Sequence, residues 1–213
     1  MKKYTKRTVV ILSSMLLMVI ASGCEKYLDV KQTSSLGADE AFSDVATATT
    51  AITGIYNELI GDNGYGIRIS CYYGMGTDEM ECAGNFSCDT RRGFSMYEVC
   101  ASNTDLERPF EQLYRGVEKA NNAIKYIPLS DLYQTGDETQ KAAMQRLYGE
   151  ALALRAQFYY ELIRNWGDVP FHQIPAADEK DLFLPRTDRD EIYEVIIIII
   201  IHCRKPNKIK FWV

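Results

Sequence analysis

The sequence predicts an all-α fold of helix hairpins joined by irregular loops. Two long segments, 105–127 and 138–166, carry apolar residues at steps of three and four. Each opens on a capping side chain and closes at a proline or glycine. Between the first helical pattern and these two, the glycine- and cysteine-rich stretch 62–104 has no strong period.

In chain order, Glu25 to Ser43 is polar and turn-rich and reads as a tether. Asp44 is placed to cap a helix whose face is Ala48, Ile52, Ile55, Tyr56 and Leu59, ended by Gly61-Asp62-Asn63-Gly64. Residues 62–104 read as loops with short strands or turns. Asp105 opens a second helix with the stripe Phe110, Leu113, Tyr114, Val117, Ala120, Ile124 and Ile127, stopped by Pro128. After a linker from Leu129 to Gly136, Asp137 caps a third, long helix. Its stripe is Met144, Leu147, Tyr148, Ala151, Leu154, Phe158 and Leu162. Gly167-Asp168 ends it and Val169-Pro170 turns the chain into an extended segment. Thr187 and Asp190 suggest a capping box for a fourth helix at Glu191 to Val195.

The second and third helices should form an antiparallel hairpin. Two amphipathic helices cannot hide both faces alone, and repeat architectures solve this by stacking further pairs. Ala151, Ala153 and Ala156 beside Leu154, Phe158 and Tyr159 suit close helix approach, as in tetratricopeptide-like units.

The amino terminus reads as a leader over residues 1–23. Lys2, Lys3, Lys6 and Arg7 form a basic start, and Val9 to Ile20 is apolar apart from Ser13 and Ser14. That run is too short for a bilayer needing roughly 20 apolar residues. Ala21-Ser22-Gly23-Cys24 follows, similar to a bacterial lipobox with Ala21 where leucine is usual. A cysteine after the cut offers a thiol for diacylglycerol and an amine for a third acyl chain, and two or more chains anchor stably. Ordinary secretion with a free Cys24 is the alternative.

Glu25 to Val195 carries 29 Asp and Glu against 16 Lys and Arg, a net charge of −13. So acidic a body repels phosphate backbones, which argues against nucleic acid as a partner. Cys71, Cys82, Cys88 and Cys100 cluster in the loop-rich stretch without the paired short spacing of a zinc ribbon. In an exported chain they suit disulfides in one of three pairings, or free buried thiols.

Gly149-Glu150-Ala151-Leu152-Ala153-Leu154-Arg155-Ala156-Gln157-Phe158-Tyr159-Tyr160-Glu161-Leu162, closed by Gly167-Asp168-Val169-Pro170, is similar to the best-marked segment of the SusD/RagB family. Cys24 to Val30 resembles that family's cysteine and short F/Y-L-D motif. Tyr114 to Ile124 resembles its Y-x-x-I-x-x-A-N-x-x-I helix, and Arg186 to Tyr193 its R-x-x-x-D-E-I/V-Y turn into the next helix. The likeness runs from Cys24 to about Val195 and spans well under half of a usual family member. It implies an all-α fold with tetratricopeptide-like units. It also implies a lipoprotein at the outer-membrane surface that captures oligosaccharide or another nutrient. Such a protein passes its cargo to a TonB-dependent transporter of the SusC type, without bond chemistry and without a cofactor.

Candidate ligand residues lie in the loops. Tyr72, Tyr73, Phe86 and Phe94, with Tyr97, stand near Asp78, Asn85, Asp89, Arg91 and Arg92. A sugar site needs a platform ring and planar polar groups for adjacent hydroxyls, although loop aromatics also pack inward. Trp166 reads as a core plug rather than a sugar platform. Arg155 and Glu150 read as ion-paired or hydrogen-bonded helix-face charges, and Asn121 and Asn122 as partners of neighbouring backbone. Asp78, Glu79, Glu81 and Asp89 lack EF-hand spacing and read as solvated charge, with no metal expected. Between leader and tail His172 is the one histidine, and no nucleophile elbow or dinucleotide loop is present, so an enzyme is disfavoured.

Ile196 to Ile201 is followed by a basic tail to Val213. Residues 196–213 read as an aberrant, out-of-frame end to a partial domain at 24–195, the alternative being a genuine buried strand. An uncharged isoleucine run invites aggregation. Two further readings of the whole therefore stand beside nutrient capture: a helical-repeat lipoprotein for structural or protein docking, and a non-functional remnant. Resequencing the locus should show SusD-like sequence continuing downstream in another frame. An intact frame without it would sink the out-of-frame reading.

Overall fold

The computed structural model describes Gly37 and residues 40–203, the side chains of 202 and 203 excepted. The leader, Cys24 and most of the basic tail lie outside the described residues. The helices are α1 (Val45–Ile60), α2 (Arg68–Tyr72), α3 (Arg91–Ser95), α4 (Thr104–Tyr126), α5 (Asp131–Gln134), α6 (Glu138–Trp166) and α7 (Arg189–Cys203). A two-residue antiparallel ladder joins β1 (Val169–Pro170) to β2 (Arg186–Thr187). The architecture is all-α in substance, as the patterning requires.

Local chemistry explains the ends. Asp44 caps α1 by accepting from the N–H groups of Ala46 (2.9 Å) and Thr47 (3.1 Å). Asp137 and Gln140 form a reciprocal capping box at α6, with bonds of 2.8 and 3.1 Å. Gly167 ends α6 at φ +73°, a left-handed turn that favours glycine.

Several boundaries differ from the sequence expectation. Asn103, rather than Asp105, caps α4, its side chain accepting from the Asp105 N–H at 2.9 Å. Asp188, rather than Thr187, holds the start of α7 by accepting from the Asp190 N–H at 2.8 Å; Thr187 is committed to the ladder. The linker holds the short helix α5, and 62–104 holds α2 and α3 in place of strands. Tyr56 is exposed, because it lies just beyond the buried stripe Ala48, Ile52, Ile55 and Leu59. The isoleucine run is helical: α7 passes through residue 195 without a break, burying Ile192 and Ile196. Helix and strand cannot be told apart from a short apolar run alone.

α6 is central and packs against α4, α1 and α7. The pairing with α4 is antiparallel: Gly116 faces Phe158, and further along α4 Asn121 meets Arg155, earlier on α6. A Cβ on Gly116 would stand 2.3 Å from the Phe158 ring, so glycine permits this approach. All seven stripe residues of α6, Met144 to Leu162, are buried.

The extended segment after β1 has no sheet to complete its hydrogen bonds. Side chains supply them instead. The Tyr114 hydroxyl donates to Pro170 O at 2.7 Å. The Tyr159 hydroxyl accepts from His172 N (2.7 Å) and donates to His172 O (2.9 Å). Asn121 Nδ2 donates to His172 O (3.1 Å) and Ile174 O (3.0 Å). Arg155 Nη1 donates to Gln173 O (2.8 Å) and Asn121 Oδ1 (2.9 Å). Glu118 accepts from Ala176 N at 3.0 Å, and Lys125 pairs with Asp178 at 2.6 Å. Tyr114, Glu118, Asn121 and Lys125 follow steps of four, three and four, which is one helix face reading one strap. Arg155 is almost wholly buried, and burial presses its pKa below the usual arginine value.

Replacing Tyr159 with Phe keeps the ring and removes both strap bonds, so unfolding free energy should fall by about 2 kcal/mol. Arg155→Met should cost about 3 kcal/mol by stranding two acceptors. Denaturant melts check both, and unchanged midpoints would overturn the assignment.

Candidate glycan-binding surface

The loop stretch 61–103 is fixed by a few polar anchors. Asp105 lies at the centre, its side chain nearly buried. Arg68 Nε bonds Oδ1 at 2.6 Å, and Arg91 reaches Oδ2 at 3.1 Å and Oδ1 at 3.2 Å. Burial raises the Asp105 pKa, but hydrogen bonds and charge from Arg91 and Arg68 outweigh it and hold the carboxyl below its ordinary value. Pro109 lies inside α4 and has no N–H for the Asp105 carbonyl four residues back. The Tyr72 hydroxyl donates to that carbonyl instead. Asn103 Nδ2 donates to Cys88 O and Thr90 O, both at 2.9 Å.

Of the four loop cysteines, Cys88 and Cys100 form a disulfide, while Cys71 and Cys82 are free thiols. Closing a loop of 12 residues in sequence separation is worth about 3 kcal/mol in the chain-entropy picture.

A second anchor is Glu161 of α6, 2 % exposed. It accepts from the hydroxyls of Tyr65 (2.6 Å) and Tyr73 (3.0 Å), with Asn165 Nδ2 at 3.3 Å and Gln157 Nε2 at 3.4 Å. Burial, together with this carboxylate, raises the pKa of both tyrosines.

The residues singled out by sequence divide in two. Tyr72 and Phe94 stack on each other at 5.0 Å, and Tyr72 meets Trp166 edge-on at 6.2 Å. Both ring and hydroxyl of Tyr72 are thus engaged within the fold, and burial raises its pKa. Trp166 also packs edge-on against Phe110 at 5.4 Å, as a plug would. Tyr73 and Phe86 face solvent, 43 % and 50 % exposed. The Arg164 guanidinium lies 3.9 Å from the Tyr73 ring centroid. Asn121 and Arg155 do not join them; they hold the strap.

Tyr97 is the more prominent ring. It is 79 % exposed and takes φ +57°, a left-handed state costing about 1–2 kcal/mol for a non-glycine residue. Its hydroxyl donates to Gly76 O at 2.6 Å, and a Cβ on Gly76 would meet the ring at 3.0 Å. The ring is therefore pinned while open to solvent. Phe183, between β1 and β2, is 93 % exposed and carried no sequence signal. Asp78, Glu79, Glu81 and Asp89 are exposed, Glu81 pairing with Arg92 at 3.0 Å. Among the described residues no group of three or more His, Cys, Asp or Glu could hold a metal. The cavity beneath the strap, of about 170 Å³, is smaller than the ~300 Å³ that usually marks a ligand pocket.

Residues 26–200 match a family model for SusD-like proteins, described as starch-binding and associating with the outer membrane. The chain belongs to the SusD-like family. SusD-like protein P25 of Formosa agariphila is 23 % identical over 184 residues, 82 % of this chain and 33 % of that protein. SusD-like protein P2 of the same organism is 24 % identical over 198 residues, 92 % and 36 %. A solved SusD-like carbohydrate binding protein from Bacteroides vulgatus superposes with TM-score 0.60 at 18 % identity, covering 81 % of this chain and 37 % of that one. A SusD-like protein from Bacteroides fragilis gives 0.57 at 22 %, covering 77 % and 30 %. The chain thus spans about a third of the length of these relatives. Among the described residues no helix is long and apolar enough to cross a membrane. Set against the SusD-like motifs, Tyr114, Asn121, Arg155 and Tyr159 are the strap-binding side chains.

Because the folded Asp105 pKa is depressed, its stabilisation is complete above the ordinary carboxylate value, ~4, and is lost as pH falls through the lower folded value. Hydrogen exchange of 61–103 should accelerate below about pH 4, and Asp105→Asn should remove that acid step. An acid response equal in the variant would refute the Asp105 anchor.

Proposed function

We propose that this chain is the front part of a surface lipoprotein that captures glycan and passes it to a TonB-dependent outer-membrane transporter of the SusC type. The observation that carries the reading is the family match over residues 26–200, joined to rings held open on a braced loop stretch. Tyr97 and Phe86 present flat apolar faces of the kind that pyranose C–H faces stack on. Residues 1–23 act as signal peptide and Cys24 takes the lipid; the expected tether to Ser43 ends earlier, because Glu40–Phe42 is a 3-10 helix whose Phe42 is buried in the core. Cargo is bound and released unchanged.

The docking-lipoprotein reading retains one supporting observation. Ile197, Ile200 and Ile201 form an exposed apolar stripe on α7. Co-purification with a membrane protein in the absence of sugar affinity favours that reading.

Calorimetry of the full chain against oligosaccharides should show binding that weakens roughly tenfold on Tyr97→Ala or Phe86→Ala, the scale of one stacked ring. Affinity for no glycan, or sustained release of new reducing ends, would defeat it. Cys24→Ser should abolish palmitate labelling and move the protein out of the membrane pellet.

A further inference from the structure

Arg164 occupies the last turn of α6 and is exposed. Its guanidinium carbon lies 3.9 Å from the Tyr73 ring centroid and 5.7 Å from that of Tyr160. Tyr160 meets Tyr193 of α7 edge-on at 6.3 Å. Tyr73, Arg164, Tyr160 and Tyr193 therefore make one strip running from the braced loops, across α6, to α7. The Tyr73 end is fixed, since Glu161 and Asn165 hold its hydroxyl.

Arg68, Arg91, Arg92, Arg115 and Arg146 each meet a carboxylate. Among the described residues, exposed Arg108, Arg164 and Arg186 meet no carboxylate, and of these three Arg164 is the one that stacks on an aromatic ring. The nearest carboxylate in sequence, Glu161, has its oxygens committed to Tyr65, Tyr73, Gln157 and Asn165. The helix dipole favours a cation in this turn, but it does not require one laid over a tyrosine ring. Stacking occupies the guanidinium face and leaves its in-plane N–H groups at the edge. That edge has the geometry for a planar carboxylate bound through two parallel bonds.

We propose that this strip is a subsite for an acidic oligosaccharide, with a uronate carboxylate on the open edge of Arg164 and the adjoining sugar face against Tyr160. The proposal rests on the glycan-capture reading and adds the class of sugar. A guanidinium that meets no carboxylate among the described residues selects for charge, and the Tyr160 ring beside it selects for a sugar over a simple anion.

The test is calorimetry of the full chain with three probes of equal length: an oligogalacturonate, a neutral gluco-oligosaccharide and a sulfated oligosaccharide. The oligogalacturonate should bind roughly tenfold or more tighter than the neutral probe, the scale of one charge-assisted bond. The preference should shrink as salt rises. Arg164→Gln should erase the preference, bringing the oligogalacturonate down to the affinity of the neutral probe measured on the same variant. Arg164→Lys should restore only part of it, because an ammonium cannot make the paired bonds. Equal affinity for acidic and neutral probes, or a preference that survives Arg164→Gln, would overturn the subsite and leave glycan capture standing. Tighter binding of the sulfated probe would overturn the uronate assignment. Binding of none of the three would overturn both readings.

Discussion

A backbone segment that leaves a helix and enters no sheet must find partners for its amide groups, and here residues 170–176 find them on two helix faces. Tyr114, Glu118 and Asn121 come from α4, Arg155 and Tyr159 from α6. Each is fixed in the hairpin before it reaches the strap. The strap in turn ties the hairpin together, because Asn121 and Arg155 bond each other as well as the strap carbonyls. Burying a guanidinium against neutral acceptors is costly unless its hydrogen bonds are made, and here it bonds an amide oxygen and a peptide carbonyl. The close packing of Gly116 on Phe158 sets the helix separation across which these side chains reach.

The same logic operates at the other end of the hairpin. Pro109 removes one donor from α4, and the carbonyl it frees is what Tyr72 binds. Asp105, beside that carbonyl, collects Arg68 and Arg91 from two separate loop helices. A disulfide and the Asn103 amide close the remaining turns. The result is an irregular stretch braced at several points, from which Tyr97, Phe86 and Tyr73 project. Rigid support under exposed rings is what a binding surface needs, since ordering loops on contact would offset affinity.

α7 presents a different situation. Its inner side buries Ile192 and Ile196 against α6, while Ile197, Ile200 and Ile201 lie open. A helix apolar on all sides is ordinarily covered on all sides. The chain spans about a third of its relatives' length.

Periodicity alone determined the long elements. The stripes of α4 and α6 are strong, their caps use Asp, Asn and Gly for reasons local to a few residues, and the hairpin follows from a short connection. The family motifs were legible too, as was the likelihood of a plug at Trp166. What local pattern could not contain was decided by tertiary contact. Asn121 and Arg155 look like ordinary helix residues until the strap comes back over them. Cys88 and Cys100 are one of six possible pairs until loops bring them together, and Cys71 and Cys82 stay free. Tyr72 and Phe94 turn inward, while Tyr73, Phe86 and Tyr97 do not, because exposure depends on what packs above a ring. The isoleucine run, whose alternative reading is a buried strand, is helical because α7 continues through it against α6. Sequence encodes interactions within a turn or two of helix; partners a dozen or more residues apart, such as Cys88 and Cys100 or Asn121 and Arg155, meet only once the chain has folded.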